Sequence, residues 1–171
     1  MTRSAPRTTR RSSRLNATRN DLSEEIRERM CTLLNERLAD AIDLMLQCKQ
    51  AHWNVKGPQF IALHELFDQV YTDVSNYVDL IAERAVQLGG MVEGTVRSVA
   101  KRTALDEYPG GIVSGPDHVA ALADVLSAFG TKVRDAIDDA DDAGDADTAD
   151  IFTEVSRGTD KWLWMVEAHL G

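Results

Sequence analysis

The sequence predicts an all-α domain, and three observations carry that expectation. Apolar residues recur at helical spacing through long stretches beginning near residues 24, 58, 116 and 147. Caps or breakers stand where those stretches begin: Ser23 before Glu24-Glu25, Gly57-Pro58, Pro116-Asp117 and Asp147-Thr148. A length of 171 residues with 43% hydrophobic content suits one domain with a buried core. The sequence contains no internal repeat and no sign of a second domain.

Residues 1–20 stand apart. Arg3, Arg7, Arg10, Arg11, Arg14 and Arg19 all precede the first acidic residue, Asp21, so a chain of net charge −9 divides into a tail of +6 and a remainder of −15. Rich in Arg, Ser and Thr with few apolar residues, the tail lacks the means to bury a core; a disordered basic arm is expected, followed by a domain over 21–171. It has no apolar h-region, which argues against a secretory signal, while its Arg/Ser-rich, acid-poor composition also fits an organellar transit peptide. No run of about 18 apolar residues exists, so no membrane span is expected.

The first helix follows Ser23, carries Ile26, Met30, Leu33, Leu34, Leu38, Ala41, Ile42 and Met45 on its apolar face, and ends near His52-Trp53. Cys31 and Cys48 lie about 25 Å apart along it, too far to be bridged to each other, and packing in a reducing cytosol is their expected role. A second helix runs from Pro58 to Gly89-Gly90, a short one falls within Val92–Lys101, and Tyr108-Pro109-Gly110-Gly111 makes a loop. Val119, Leu122, Leu126, Phe129 and Val133 mark the third long helix, and Phe152, Val155, Trp162 and Val166 the fourth. The stretch DAIDDADDAGDADTAD between them reads, taken alone, as a solvated turn, and it fails the register of an EF-hand loop. His118 and His169 have no ligand-spaced partners and are expected to be surface or packing residues. Neither a nucleophile elbow nor a glycine-rich phosphate loop is present.

The second long helix carries the chemistry. At about 100° per residue, with His64 at 0°, Asp68 falls near 40°, Asp79 near 60° and Glu83 near 100°. Its apolar residues, Leu63, Phe67, Val70, Val74, Tyr77 and Ile81 among them, occupy roughly 220–320°, so the ligand-type stripe flanks the core face. Asp68 and Asp79 are nevertheless about 16 Å apart along the axis, too far to share one ion at bonds of about 2 Å. An antiparallel second copy removes the difficulty. The pair Asp68/Asp79 and the pair His64/Glu83 are both centred between Asp73 and Val74, so one two-fold axis brings His64 and Asp68 of one chain to Asp79 and Glu83 of the other. Ser75 and Ala82, in the same arc, are small enough for close approach. The mixed imidazole and carboxylate set suits iron, manganese or zinc and has too few soft ligands for copper(I). His64-Glu65-x-x-Asp68 lacks the second histidine of the zinc-protease motif, and the Glu-x-x-His pairs of intra-subunit di-iron bundles occur nowhere in the chain.

The run KQAHWNVKGPQFIALHELFDQVYTDVSNYVDLIAERAVQLGG from Lys49 to Gly90, then GTV at Gly94–Val96, DTADIF at Asp147–Phe152 and DKWLWMVEAHL at Asp160–Leu170 resemble the Dps family of mini-ferritins. The resemblance spans most of residues 24–170. It implies a ferritin-like four-helix bundle with a short extra helix in the middle crossover, assembled as a hollow homododecamer. It also implies an iron(II) oxidase and iron store, typically using hydrogen peroxide, with dioxygen as the other candidate oxidant and no organic cofactor. Carried over by position, His52, His64, Asp68, Asp79 and Glu83 are the ferroxidase ligands, shared across a subunit dyad, and Trp53 lies beside the iron. His52 joins the set by resemblance alone. The same resemblance implies acidic pores built from some of Asp135, Asp138, Asp139, Asp141, Asp142, Asp145, Asp147 and Asp150, and non-specific DNA binding by the arginines of the arm, in a cytoplasmic, nucleoid-associated protein. Three alternatives remain at this stage: a nucleoid protein without oxidation, a metal-independent cage, and an organellar ferritin that loses the arm.

Overall fold

The computed structural model describes residues 15–170. Over them the chain forms α1 (Glu24–Asn54), α2 (Phe60–Gln87), α3 (Val96–Arg102), α4 (Gly115–Ala143) and α5 (Ala146–Glu167). α1 packs on α2 and α4 on α5; contacts of α1 with α4 and of α2 with α5 close the four-helix bundle, while α3 lies against α1 within the crossover 88–114. No strand forms among the described residues. An isolated bridge pairs Lys56 with Ser114, and the Lys56 N–H donates to Val113 O at 2.8 Å, tying the α1–α2 turn to the start of α4.

Local chemistry sets the helix ends. Ser23 Oγ accepts the Ile26 N–H at 3.3 Å, Ser114 Oγ accepts that of Asp117 at 3.3 Å with Pro116 in the first turn, and Asp145 accepts that of Thr148 at 3.1 Å. The fourth long helix therefore begins just ahead of the Asp147-Thr148 expected from sequence, because Asp145 is its cap. Asp145 also receives Arg84 Nη2 at 2.6 Å, and Arg84 Nε donates to Thr148 Oγ1 at 3.0 Å, so a buried network joins the end of α2 to the α4–α5 turn. This removes Asp145 from the aspartates available to line a pore.

Phe67, Phe129, Phe152, Met30, Leu34 and Leu122 are fully buried at the centre of the bundle. Both cysteines are buried and free; burial pushes the Cys48 thiol up to about 12 and raises that of Cys31, so neither is a ready nucleophile. α5 approaches α2 closely at Gly158, where any Cβ would collide with the Tyr77 hydroxyl.

The N-terminal expectation needs revision at its boundary. Leu15 and Leu22 pack against the core, the Asn16 N–H donates to Gly89 O at 2.7 Å, and Arg27 donates to Leu22 O and Leu88 O. Gly89, at φ +87°, has no room for a side chain, since a Cβ would lie 2.5 Å from Asn16 O. Residues 15–22 are thus a strap on the body, and Arg19 is exposed on it. Arg3, Arg7, Arg10, Arg11 and Arg14 lie outside the described residues.

His118 is a packing residue, 1% exposed, whose Nδ1 shares a 2.6 Å hydrogen bond with the Tyr108 hydroxyl. Its Nε2 is buried without a partner at full hydrogen-bond geometry among the described residues, and burial, outweighing nearby backbone groups of Asn54 and Ile112, holds the imidazole below its ordinary 6.5. The unfolded chain therefore binds this proton more readily than the folded one. The associated stability is present above the unfolded value and is lost as pH falls through it. Between about pH 8 and pH 5, the melting temperature of the protein should drop more steeply than that of His118→Asn; parallel curves would assign the loss to other groups.

Candidate metal centre

The α1–α2 turn assembles the first half of the site. Gly57, at φ +122°, reverses the chain between the helices, which sets His52 in the last turn of α1 beside His64 in the second turn of α2. The two rings stack with centroids 3.6 Å apart and planes inclined by 21°. His52 Nδ1 donates to His64 O at 2.8 Å, and His64 Nδ1 donates to His52 O at 2.8 Å. A carbonyl oxygen can only accept, so both rings must carry the proton on Nδ1, and in the neutral form each Nε2 keeps a free lone pair. Backbone carbonyls that fix the tautomer of a metal-binding imidazole are the usual outer support of such ligands. Phe60 borders the His64 ring at 5.1 Å.

Asp68, one turn beyond His64, is ion-paired with Lys49 of α1. The Lys49 hydrogen bond holds its carboxyl below the usual range, burial opposes it, and the charges of Lys49, His52 and His64 add to the lowering. Lys49 Nζ also lies 4.6 Å from the Tyr71 ring centroid. Sequence reasoning missed Lys49, although its position three residues before His52 puts both on one face of α1.

Asp79 and Glu83 are exposed on the same edge of α2 and have no side-chain partner among the described residues. No cluster of three or more His, Cys, Asp or Glu side chains able to hold a metal forms within one chain among the described residues. Two partial sets therefore lie along one exposed helix edge. That edge also carries Ile61 and Val86, 61% and 58% exposed, centred on the same point between Asp73 and Val74 as the ligand pairs. Sequence reasoning missed this apolar pair. Trp53, next to His52, is 67% exposed.

A bundle of four long helices with imidazoles and carboxylates gathered along one edge is a ferritin-like architecture, and the Ferritin-like domain family matches residues 31–171. The chain belongs to the Dps family, the DNA protection during starvation proteins, as its similarity to known members shows. It is 49% identical over 153 residues to the DNA protection during starvation protein of Agrobacterium fabrum, covering 90% of this chain and 94% of that one. Its structure matches DpsC from Streptomyces coelicolor with a TM-score of 0.88 at 30% identity, over 96% of each chain. For Mycobacterium smegmatis Dps the TM-score is 0.86 at 32% identity, over 91% of this chain and 94% of that one. The sequence resemblance and the fold it implied are thereby borne out.

The reciprocal imidazole contacts make a prediction that needs no metal. Nitrogen-15 NMR of the metal-free protein at neutral pH should show His52 and His64 as the Nδ1–H tautomer; an Nε2–H signature at either would remove the lone pair inferred above.

Proposed function

We propose that this protein is the ferroxidase subunit of an iron-storing mini-ferritin: it oxidises iron(II), with hydrogen peroxide or dioxygen as oxidant, and keeps ferric mineral in a homododecameric cage. The observation that carries the reading is the exposed edge of α2, where two ligand pairs and one apolar pair share a single centre of symmetry. An antiparallel partner laid on that edge brings His52, His64 and Asp68 to Asp79 and Glu83 of the partner subunit, and each dyad gains two equivalent sites. Ile61 meets Val86 of the partner subunit at both ends and screens the sites from water.

Iron is the substrate. The Nε2 lone pairs of His52 and His64 bind it in the ferrous state, and the three carboxylates favour the ferric product. Lys49 holds Asp68 in place until the incoming cation displaces its ammonium, so the vacant site does not bury an unpaired charge. Trp53 stands beside His52, placed to give up an electron to a stray oxidant. Exposed aspartates of the α4–α5 turn, Asp147 among them, would draw cations inward if copies converge on an axis. No helix among the described residues is long and apolar enough to cross a membrane, and the cytoplasmic nucleoid is the place where this activity would protect DNA.

The arm supplies DNA binding in this reading. An acidic body repels DNA, so the arginines of the N-terminal segment must make the contact, and twelve copies of it act multivalently. The contacts are to backbone phosphate, each adding about −0.9 to the slope of log affinity against log salt.

Replacing Asp79 and Glu83 by Ala should slow initial iron oxidation by more than the roughly 10–100-fold typical of losing an outer-shell support, with the particle size preserved. Unchanged rates would reject the site assignment. Co-assembly of His64→Ala/Asp68→Ala chains with Asp79→Ala/Glu83→Ala chains should restore part of the activity, because some mixed dimers regain one complete site; no recovery would mean that the pairs do not meet across subunits. Deleting residues 2–14, which spares the strap, should abolish retardation of duplex DNA at low salt while iron oxidation persists. Equal retardation by both forms, or binding insensitive to salt, would reject the arm as the DNA contact.

A further inference from the structure

The start of α4 touches the chain on both sides of the two histidine ligands. Val113 O accepts the Lys56 N–H at 2.8 Å, just beyond the end of α1 that carries His52. Gly115 is buried against Leu63, the residue before His64: a Cβ at Gly115 would lie 2.7 Å from Leu63 Cδ1, and Leu63 is itself fully buried. His118 presents its ring to the backbone of Asn54, the last residue of α1, and to that of Ile112. Contacts from one short stretch, 113–118, thus converge on the α1–α2 turn.

The His118 ring has a defined direction. A backbone group that favours the protonated ring, as those of Asn54 and Ile112 do, is a carbonyl oxygen, because a backbone N–H would oppose the added proton. In the neutral ring Nε2 therefore carries the hydrogen and faces these carbonyls, and the Nδ1 lone pair accepts the Tyr108 hydroxyl at 2.6 Å. Burial keeps that phenol protonated.

The last carbonyls of a helix have no partner within it. In α1, Ala51 O accepts the Val55 N–H, His52 O accepts His64 Nδ1–H, and Asn54 O faces His118. Imidazoles from α2 and α4 thus meet the same final turn that bears His52. Packing alone does not account for His118, since a leucine would fill the place of a ring 1% exposed without burying polar nitrogens.

We propose that the start of α4 is the platform that sets the metal-binding imidazoles, with His118 and Gly115 as positioning residues. His118 holds the end of α1 that carries His52, and the missing side chain at Gly115 lets Leu63, and with it His64, seat where it does. Neither residue touches metal, and the proposal rests on the metal centre assigned above. The two ligand rings stack at 3.6 Å with reciprocal bonds to each other's backbone, so a shift of one helix end against the other changes the spacing of both Nε2 lone pairs. Loss of an outer support of this kind changes metal affinity by about 10–100-fold.

The test titrates the full-length assembled protein, metal-free and without oxygen, with cobalt(II), whose visible absorption reports ligand geometry and needs no oxidant. His118→Leu, which keeps bulk and removes both ring nitrogens, should bind cobalt(II) about 10-fold more weakly or worse, with an altered absorption band. His118→Gln, which again offers a donor and an acceptor, should recover most of the affinity. Gly115→Ala should also weaken binding, and adding Leu63→Val, which removes the colliding atom, should restore part of it. Leu126→Ala, a cavity about two turns further along α4, should lower the melting temperature and leave cobalt affinity and spectrum unchanged. Equal losses in Leu126→Ala and His118→Leu would assign the effect to general destabilisation and overturn the proposal. Wild-type affinity and spectrum in His118→Leu, or a His118→Gln protein no better than His118→Leu, would overturn it too. If His118→Leu does not assemble, Gly115→Ala decides, and unchanged binding there rejects the platform. Cobalt binding indifferent to Asp79→Ala/Glu83→Ala would instead overturn the shared metal centre. Iron(II) left unoxidised by a wild type that binds cobalt normally would overturn the ferroxidase reading and leave the platform standing.

Discussion

A straight helix holds Asp68 and Asp79 about 16 Å apart whatever surrounds it, and that separation governs the rest of the structure. A chain meant to chelate with its own side chains would distribute ligands over facing helices of the bundle interior, where the core of this protein instead holds Phe67, Phe129 and Phe152. Placing ligand types along one outer edge of α2 keeps them out of the packed aromatic centre of the bundle and leaves them without a complete set in one chain. Asp79 and Glu83 stay in solvent, and Ile61 and Val86 expose apolar surface at matching positions. Exposed apolar side chains scattered singly mean little; two that share the symmetry centre of two ligand pairs describe a self-complementary surface.

The α1–α2 turn converts this edge from a row of carboxylates into a mixed site. Its reciprocal hydrogen bonds use one nitrogen of each ring to lock the other ring's backbone, so His52 and His64 are mutually oriented without help from any metal. The Lys56–Val113 hydrogen bond and the Lys56–Ser114 bridge fasten the same turn to the start of α4. Preorganisation of this kind confines the ordering cost of the site to folding, so that ligand binding does not bear it again.

Much of this was legible in the sequence because it depends on local spacing. The cap at Ser23, the Pro116-Asp117 start of the third long helix, the breaks at Gly57 and Gly89, and the angular separation of ligand stripe from core face all follow from periodicity and turn chemistry, and the structure reproduces them. What escaped depends on contacts between residues far apart in the chain. His52 sits on a different element from the stripe, and only the turn geometry sets its ring on His64. Residues 15–20 of the strap were read as part of a disordered arm because residues 1–20 are rich in Arg, Ser and Thr with few apolar residues, while the strap's anchor is a backbone bond to Gly89 that no side-chain pattern announces. Asp145 looked like its acidic neighbours, yet Arg84, 61 residues away in sequence, draws it into the interior. The Trp162–Asp73 contact, 89 residues apart, is invisible to any window of helical length.

Charge explains why Lys49 belongs to this arrangement. In the proposed dimer each site gathers three carboxylates, Asp68 and the two from the partner subunit, around two neutral imidazoles. Like charges brought together out of water repel strongly, and without compensation that repulsion would oppose subunit association. Lys49, already paired with Asp68 in the single chain, cancels one of the three and reduces the cost of assembling the vacant site. In that dimer a divalent cation would cancel two and displace the ammonium toward the Tyr71 face, against which it already lies. Anything that binds the dimer more tightly than the separated chains stabilises the dimer by mass action. In the proposed dimer, iron binding and subunit association would be linked through the same carboxylates, with Lys49 offsetting part of their repulsion before iron binds.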